Sequence, residues 1–298
     1  MKYLERFVKR ALVSGLTTRQ LVQLRKRMGK HQLVVACFPK SGSTYLARNL
    51  AALKGWKESR YVPLFGRREQ ELDETCIRRE MYRHPLTHQV SQLHVRCTDQ
   101  TMTLARQFDL RFIVLYRNLY DCMVSVVDHW RQESCRGPMA FWTKQLLKDL
   151  EAQGISQLEA ASRTVAPWYI NFYLSWMEHR QQLSHPPAFV SYEELFSQPQ
   201  LKSAELLMEL GISVPVEDFH RVQQQTIQTR FNQGVCGRGR MAFDKDAGAR
   251  DAIDQLLRLY PRVDFSPILG GGLESVDSDR SDVREAETKA ALTRIHCI

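Results

Sequence analysis

The sequence contains no CxxC pair, no GxxxxGK[ST] loop, no internal repeat, and no apolar run near the ~18 residues a membrane-spanning helix needs. Its 7 cysteines (positions 37, 76, 97, 122, 135, 236 and 297) are scattered and odd in number, which excludes zinc-ligand spacing and argues against a disulfide scaffold. Acidic residues are nearly missing from residues 1–32, where Glu5 faces nine Lys and Arg. That segment therefore carries +8 of the net +9, and the rest of the 298-residue chain is close to neutral. A duplex-binding domain carries its basic stripe through the fold, so a nucleic-acid partner is not expected. A charged fraction of 25% with 43% hydrophobic residues excludes wholesale disorder and collagen-like classes. The length suits one large α/β domain or two small ones, with a sizeable core.

Leu4, Phe7, Val8, Ala11 and Leu12 follow the spacing of an amphipathic helix whose other face carries Lys2, Arg6, Lys9 and Arg10. Thr17 and Thr18 can cap a second helix running to about Gly29. This basic pair either docks on the domain or meets a membrane surface or an acidic partner. Lys9 and Arg10 interrupt the apolar residues, so the segment is not a secretory h-region. The expected setting is cytoplasmic, with peripheral membrane contact through residues 1–30 as the alternative.

From Leu33 the pattern changes. Leu33–Phe38 and Arg111–Tyr116 are continuous apolar runs of strand length, as expected for strands buried on both faces. Further strands are expected at Val90–Val95 and Pro187–Ser191. Helices are expected over Tyr45 to about Lys54, 99–108, Tyr120–His129, Trp168–Gln182 and 200–210. Residues 57–90 read as polar and irregular, 132–166 as a lid-like insertion with Gly137-Pro138 and Gly154 between helical stretches, and 234–239 as a glycine-rich loop. Alternation of strands and helices predicts an α/β fold with a central parallel sheet flanked by helices. The organisation is then 1–32 as basic N-terminal helices, 33–270 as one domain, and 271–298 as a polar, poorly ordered tail.

Two segments carry chemistry. Residues 34–46 run strand, tight turn, helix start, which is the architecture of an anion cradle. Backbone N–H groups of Ser41, Gly42, Ser43, Thr44 and Tyr45 point into the turn, the two hydroxyls add donors, and Lys40 places an ammonium at its mouth. The second segment is Tyr116–Ser125, where Arg117 leaves a buried strand and Ser125 follows eight residues later on a helix. An Arg fork with a Ser hydroxyl suits a second phosphate. Asp121 reads as a first-turn residue that favours the helix dipole. Two anion sites on adjacent strands imply one ligand with two anionic ends.

With these residues in view, the chain resembles the 3′-phosphoadenosine 5′-phosphosulfate (PAPS)-dependent sulfotransferase family. Lys40-Ser-Gly-Ser-Thr-Tyr45 resembles its 5′-phosphosulfate loop, and Arg117 to Ser125 its 3′-phosphate motif. Val190-Ser-Tyr192-Glu-Glu-Leu with Pro199 resembles its YEDL-and-proline segment, and Gly234 to Gly239 its late glycine-rich loop. The four blocks stand in family order and frame residues 33–270. The resemblance implies a single-domain P-loop-NTPase-like fold, PAPS as co-substrate, 3′-phosphoadenosine 5′-phosphate (PAP) as product, and no required metal. It implies in-line transfer to a hydroxyl or amine, with His94 as base and Lys40 on the leaving phosphate. The implied cofactor contacts are Lys40, Ser41, Gly42, Ser43, Thr44, Tyr45, Arg117, Ser125, Tyr192, Gly234, Gly237 and Arg238. Tyr192 serves either the adenine or the core.

The chain departs from the family pattern in two places. Gln92 stands where many relatives carry a Lys two residues before the catalytic His. In the late loop, Asn232 and Gly239-Arg240 replace the usual Arg and Trp-Lys, so Arg230, Arg238 or Arg240 takes the phosphate contact. Rival bases are His84, His88 and His129. Aromatics for an acceptor pocket or a closed core are Trp56, Tyr61, Phe65, Tyr82, Trp130, Phe141 and Trp142. The run Glu69, Glu71, Asp73 and Glu74 is a solvated face or a lure for a cationic acceptor. Small-molecule, lipid and saccharide acceptors all stay open, as does oligomeric state. Alternatives of other classes are a P-loop nucleotide-binding kinase or hydrolase, and a non-catalytic binding module on the same fold.

Overall fold

A computed structural model describes residues 13, 15–63, 71–132, 144–224 and 237–270. Five strands form one parallel sheet: β1 (Gln32–Cys37), β2 (Trp56–Glu58), β3 (His88–Leu93), β4 (Leu110–Tyr116) and β5 (Ala188–Ser191), in the order β2-β3-β1-β4-β5. Their register brings Ala36 beside Leu93 on one side and Val114 on the other. The chain ends of β1, β3 and β4 therefore lie side by side at one rim. The strand order reverses at β1, the place where open α/β folds bind ligands.

The apolar runs are continuous because both faces of the sheet are covered. Val34, Ala36, Phe112 and Val114 point into one core with Phe108, Met123, Tyr169 and Trp176. Leu33, Val35, Ile113 and Leu115 point into the other with Leu46, Leu50, Leu206 and Leu207. Residue parity along each strand chooses the face. The helices are α1 (Thr18–Arg27), α2 (Ser43–Ala52), α3 (Glu74–Arg83), α4 (Asp99–Phe108), α5 (Leu119–Gln132), α6 (Lys144–Ala152), α7 (Gln157–Thr164) and α8 (Ala166–His179). They continue as α9 (Tyr192–Ser197), α10 (Pro199–Glu209), α11 (Val216–Gln224), α12 (Arg238–Asp244), α13 (Ala247–Arg258) and α14 (Ser266–Leu269).

Two expectations need correction, at 57–90 and at 234–239, while the helical stretches expected within 132–166 are present. Residues 57–90 hold the end of β2 and all of α3, whose first turn is capped by Asp73 accepting the Cys76 N–H at 2.7 Å. Within 132–166, α6 and α7 are ordinary helices. Glu159 of α7 fits so closely against Gly248 of α13 that a Cβ there would sit 2.4 Å from its carboxylate. The stretch 234–239 is not all loop, since α12 begins at Arg238. The 1–12 helix and the 271–298 tail lie outside the described residues.

The described part of the basic segment is docked. Thr17 caps α1 in a capping box with Gln20. Arg25 is 2% exposed, and its guanidinium donates to the carbonyls of His84 (2.9 Å), Pro85 (2.8 Å) and Thr87 (3.0 Å). One of the nine basic residues is thus an internal strut between α1 and the α3–β3 turn.

At the rim opposite the ligand-binding end, His31 stacks on His88, which stacks on Trp56 with ring centroids 4.8 Å apart. Both imidazoles are lowered to about 4, mainly by burial, with Arg111, His88 and Arg25 also lowering His31 and Lys30 and Arg25 also lowering His88. Asp109 opposes this at His31. Between pH ~6.5 and ~4 the unfolded chain binds protons at these sites and the folded one does not, so stability falls as pH drops through that window. Thermal unfolding is expected to start several degrees lower at pH 5 than at pH 7, and His88→Phe to flatten this dependence. An equal slope in the variant would remove the pair from the account.

Candidate active site

The turn after β1 is built around backbone. The Ser41 hydroxyl donates to the Phe38 carbonyl at 2.7 Å, which tightens the bend, and the side chain is fully buried. Gly42 caps α2 at φ 73°, and a Cβ there would stand 2.6 Å from the Phe196 ring. Both facts call for glycine. The Tyr45 N–H closes onto the Gly42 carbonyl at 2.9 Å, so it is occupied within the turn. The N–H groups of Ser41, Gly42, Ser43 and Thr44 make no backbone hydrogen bond among the described residues. Four consecutive donors at a helix N-terminus form an anion cradle. Lys40 precedes them at φ 67°, one of two non-glycine residues with positive φ among the described residues. A phosphate or sulfonate group fits this donor-only set.

The ends of the two neighbouring strands complete the site. On the β4 side, Arg117 is 8% exposed and its Nη1 donates to the Lys40 carbonyl at 3.0 Å. Its guanidinium carbon lies 4.3 Å from the centre of the Tyr192 ring, which is itself stacked on Phe196. Tyr192, Phe196 and Arg117 therefore form the wall that carries the cradle. Tyr192 is 4% exposed, on the first turn of α9. Next to it, burial raises the Glu193 carboxyl above its ordinary value, and its oxygen accepts the Asn118 N–H at 3.5 Å.

On the β3 side stands His94. Its Nδ1 is 2.7 Å from the carbonyl oxygen of Cys37. A carbonyl only accepts, so Nδ1 carries the proton and the basic lone pair is on Nε2. Trp168 stands edge-on to the imidazole, with centroids 6.3 Å apart. The rivals sit elsewhere. His88 begins β3, about 20 Å from His94 at ~3.3 Å per residue, and the His84 carbonyl serves Arg25. His129 lies on the last turn of α5.

The late motif meets α5 in a way the sequence reading missed. Asp121 is 3% exposed and accepts the backbone N–H groups of Gly237 (2.9 Å) and Gly239 (2.6 Å), while its carboxylate stands 3.8 Å from Arg117. Gly239 lies against the α5 backbone, where a Cβ would be 2.3 Å from the Asp121 nitrogen. Asp121 is thus a clip between the two motifs rather than a simple dipole partner. Arg238 pairs with Asp128 at 2.7 Å, and Ser125, 6% exposed, lies between Asp121 and Asp128 on the same helical face. Gly234, Arg230 and Asn232 lie outside the described residues, and Arg240 is exposed. The available signal was spacing: carboxylates at positions 121 and 128, two helical turns apart, facing a Gly-Arg-Gly run. Removing one partner of a buried charge-assisted network costs about 3 kcal/mol. Asp121→Ala should therefore lower the melting temperature by about 5–10 °C, and an unchanged transition would contradict the clip.

Among the described residues, the aromatics considered for acceptor binding pack into or against the core. Tyr61 is fully buried and donates to Gln89 at 3.0 Å, Trp56 covers His88, and Trp130 is buried. Tyr82 donates to the Leu16 carbonyl. Phe65, Phe141 and Trp142 lie outside the described residues. The acidic run has local work: Glu71 accepts the Thr98 hydroxyl, Asp73 caps α3 and Glu74 pairs with Arg78, with Glu69 outside the described residues. Among the described residues no three His, Cys, Asp or Glu side chains converge as metal ligands, and no helix is long and apolar enough to cross a membrane.

A five-stranded parallel sheet with an anion cradle after its central strand defines a P-loop-like fold. The model of the sulfotransferase domain family matches residues 30–238, most of the chain, and the chain belongs to that family. Among solved structures, the chain is similar to a mouse sulfotransferase, SULT7A1, complexed with PAP. The two are 18% identical with a TM-score of 0.54, covering 79% of this chain and 86% of that one. It is also similar to a retinol dehydratase in a complex with retinol and PAP, at 12% identity and a TM-score of 0.45, over 76% and 81% of the two chains. A sulfotransferase from Alicyclobacillus acidocaldarius matches at 13% identity and a TM-score of 0.42, over 77% and 96%. No curated protein sequence matches the chain.

Proposed function

We propose that the protein transfers the sulfuryl group of PAPS to a hydroxyl or amine of a small-molecule, lipid or saccharide acceptor, releasing PAP. The observation that carries this reading is the row of four N–H donors at Ser41–Thr44, with the His94 imidazole fixed on the adjoining strand end. PAPS supplies a sulfuryl group already activated by its bond to phosphate. The chain's own residues do the rest. The cradle and the Ser43 and Thr44 hydroxyls bind the 5′ end, and Tyr45 stands at its edge against Phe196. Arg117, Ser125 and the Gly237–Arg238 turn hold the 3′-phosphate end, with Tyr192 beneath Arg117. His94 Nε2 takes the acceptor proton as the new bond forms, and the Lys40 ammonium stabilises charge on the departing phosphate.

This scheme assigns charge neutralisation to Lys40 and Arg117 and calls on no metal. The proposed setting is the cytoplasm, with residues 1–30 able to hold the enzyme at an anionic membrane. Thermal unfolding separates this reading from a nucleotide kinase or hydrolase. PAP at about 100 times its Kd should stabilise the fold by about 2.7 kcal/mol, and ATP–Mg²⁺ should do much less. The reverse order would sink the proposal.

A further inference from the structure

On β3, side chains alternate faces, so Val90, Gln92 and His94 share the face that meets α2. Gln92 therefore stands two residues from His94 and directly against the start of α2, where the anion cradle lies. Its Nε2 is 2.7 Å from the Ser43 hydroxyl oxygen, and its Oε1 receives the Thr44 hydroxyl at 3.5 Å. The same Nε2 lies 4.0 Å from the sulfur of Cys37, the residue whose carbonyl holds His94.

An amide nitrogen only donates, so Ser43 Oγ accepts from Gln92. The Ser43 hydroxyl keeps its own proton, and it has no acceptor for that proton among the described residues, although the side chain is 4% exposed. A buried hydroxyl proton at the first residue of α2, beside four N–H donors, belongs to the cradle's donor set.

We propose that Gln92 is a positioning residue for the anion site: by donating to Ser43, it turns the Ser43 hydroxyl into a donor aimed at the bound anion. The four N–H groups and the Ser43 hydroxyl then all present donors, which suits a fully ionised phosphosulfate or phosphate. This rests on the sulfotransferase reading above, with PAP as the probe.

The test is a comparison that shape alone would order the other way. Gln92→Glu keeps size and shape but can no longer donate at neutral pH. Its carboxylate accepts a hydrogen bond from the Ser43 hydroxyl, which turns a lone pair of Oγ toward the anion, and it adds a negative charge. Gln92→Leu removes the hydrogen bond without reversing it. PAP affinity measured by titration calorimetry at pH 7.5 is expected to fall about tenfold in Gln92→Leu and about a hundredfold in Gln92→Glu. Ser43→Ala should lose about tenfold, and should shrink the further penalty of adding Gln92→Glu, because the reversal acts through that hydroxyl. Near-ultraviolet circular dichroism checks that each variant is folded, and Ser43→Ala keeps the idea testable if one Gln92 variant is not. If the wild type binds PAP but Gln92→Glu binds it as well as Gln92→Leu or better, the polarity role is overturned. A wild type that does not bind PAP overturns the functional reading itself.

Discussion

Replacing His94 by alanine is expected to leave PAP binding within a few-fold of wild type and to lower sulfuryl transfer by about 10²–10⁴-fold, the range for loss of a positioned general base. The geometry separates the two effects. His94 is held by a carbonyl of β1 through Nδ1, so it is aimed by the backbone and not by the cofactor. Its removal takes away the Nε2 lone pair without touching Ser41–Thr44 or Arg117. His94→Gln refines the result: its amide can still donate to the Cys37 carbonyl and keep the local structure, yet it has no base. It should be as inactive as His94→Ala and nearer to wild type in stability. A His94→Ala enzyme with wild-type turnover would move the base elsewhere, and His129 on α5 would be the next residue to test.

Lys40→Met is expected to lower turnover by about 10²–10³-fold, comparable to losing one preorganised charge-stabilising donor in the transition state. Lys40 also sits at φ 67°, where an L-residue gives up about 1–2 kcal/mol relative to a right-handed conformation. The Arg117 bond to its carbonyl helps hold it there. Lys40→Gly removes both the ammonium and this strain. The glycine variant should therefore unfold at a higher temperature than Lys40→Met while being just as impaired in transfer. PAP affinity should fall less than turnover in both, since the main demand on the ammonium comes as the phosphate leaves. Turnover that survives in Lys40→Met would remove Lys40 from the chemistry.

The sheet was readable because β1 and β4 are buried on both faces and so appear as uninterrupted apolar runs. The cradle was readable for a related reason: Lys40 to Tyr45 must join a buried strand to a helix within a few residues, and few residue types fit. What stayed hidden depends on distance in the chain. Asp121 follows Arg117 closely, and its first-turn position explains its charge without any partner. The N–H groups it accepts come from residues more than a hundred positions later. The start of α12 was masked by three glycines, which in isolation signal a loop, although Asp121 and close packing on Tyr120 make a helix possible there. The short β2 and the polar α3 lack the periodic apolar signal that longer elements carry. Arg25 stood only as one of the nine basic residues of 1–32, because a buried guanidinium bonded to carbonyls has no local sequence mark. Gln92 was visible as a departure from the family pattern, but its hydrogen bonds to Ser43 and Thr44 join strands to a helix start and needed coordinates.

The central claim is that this site moves a sulfuryl group from PAPS. The most direct measurement is incubation of the purified full chain with ³⁵S-labelled PAPS and a fractionated cell extract, with PAP release followed in parallel. The account predicts label in an acceptor fraction, PAP formed in equal amount, and neither with Lys40→Met or His94→Ala. PAP release without labelled acceptor in any fraction, or labelling that persists in both variants, would contradict it.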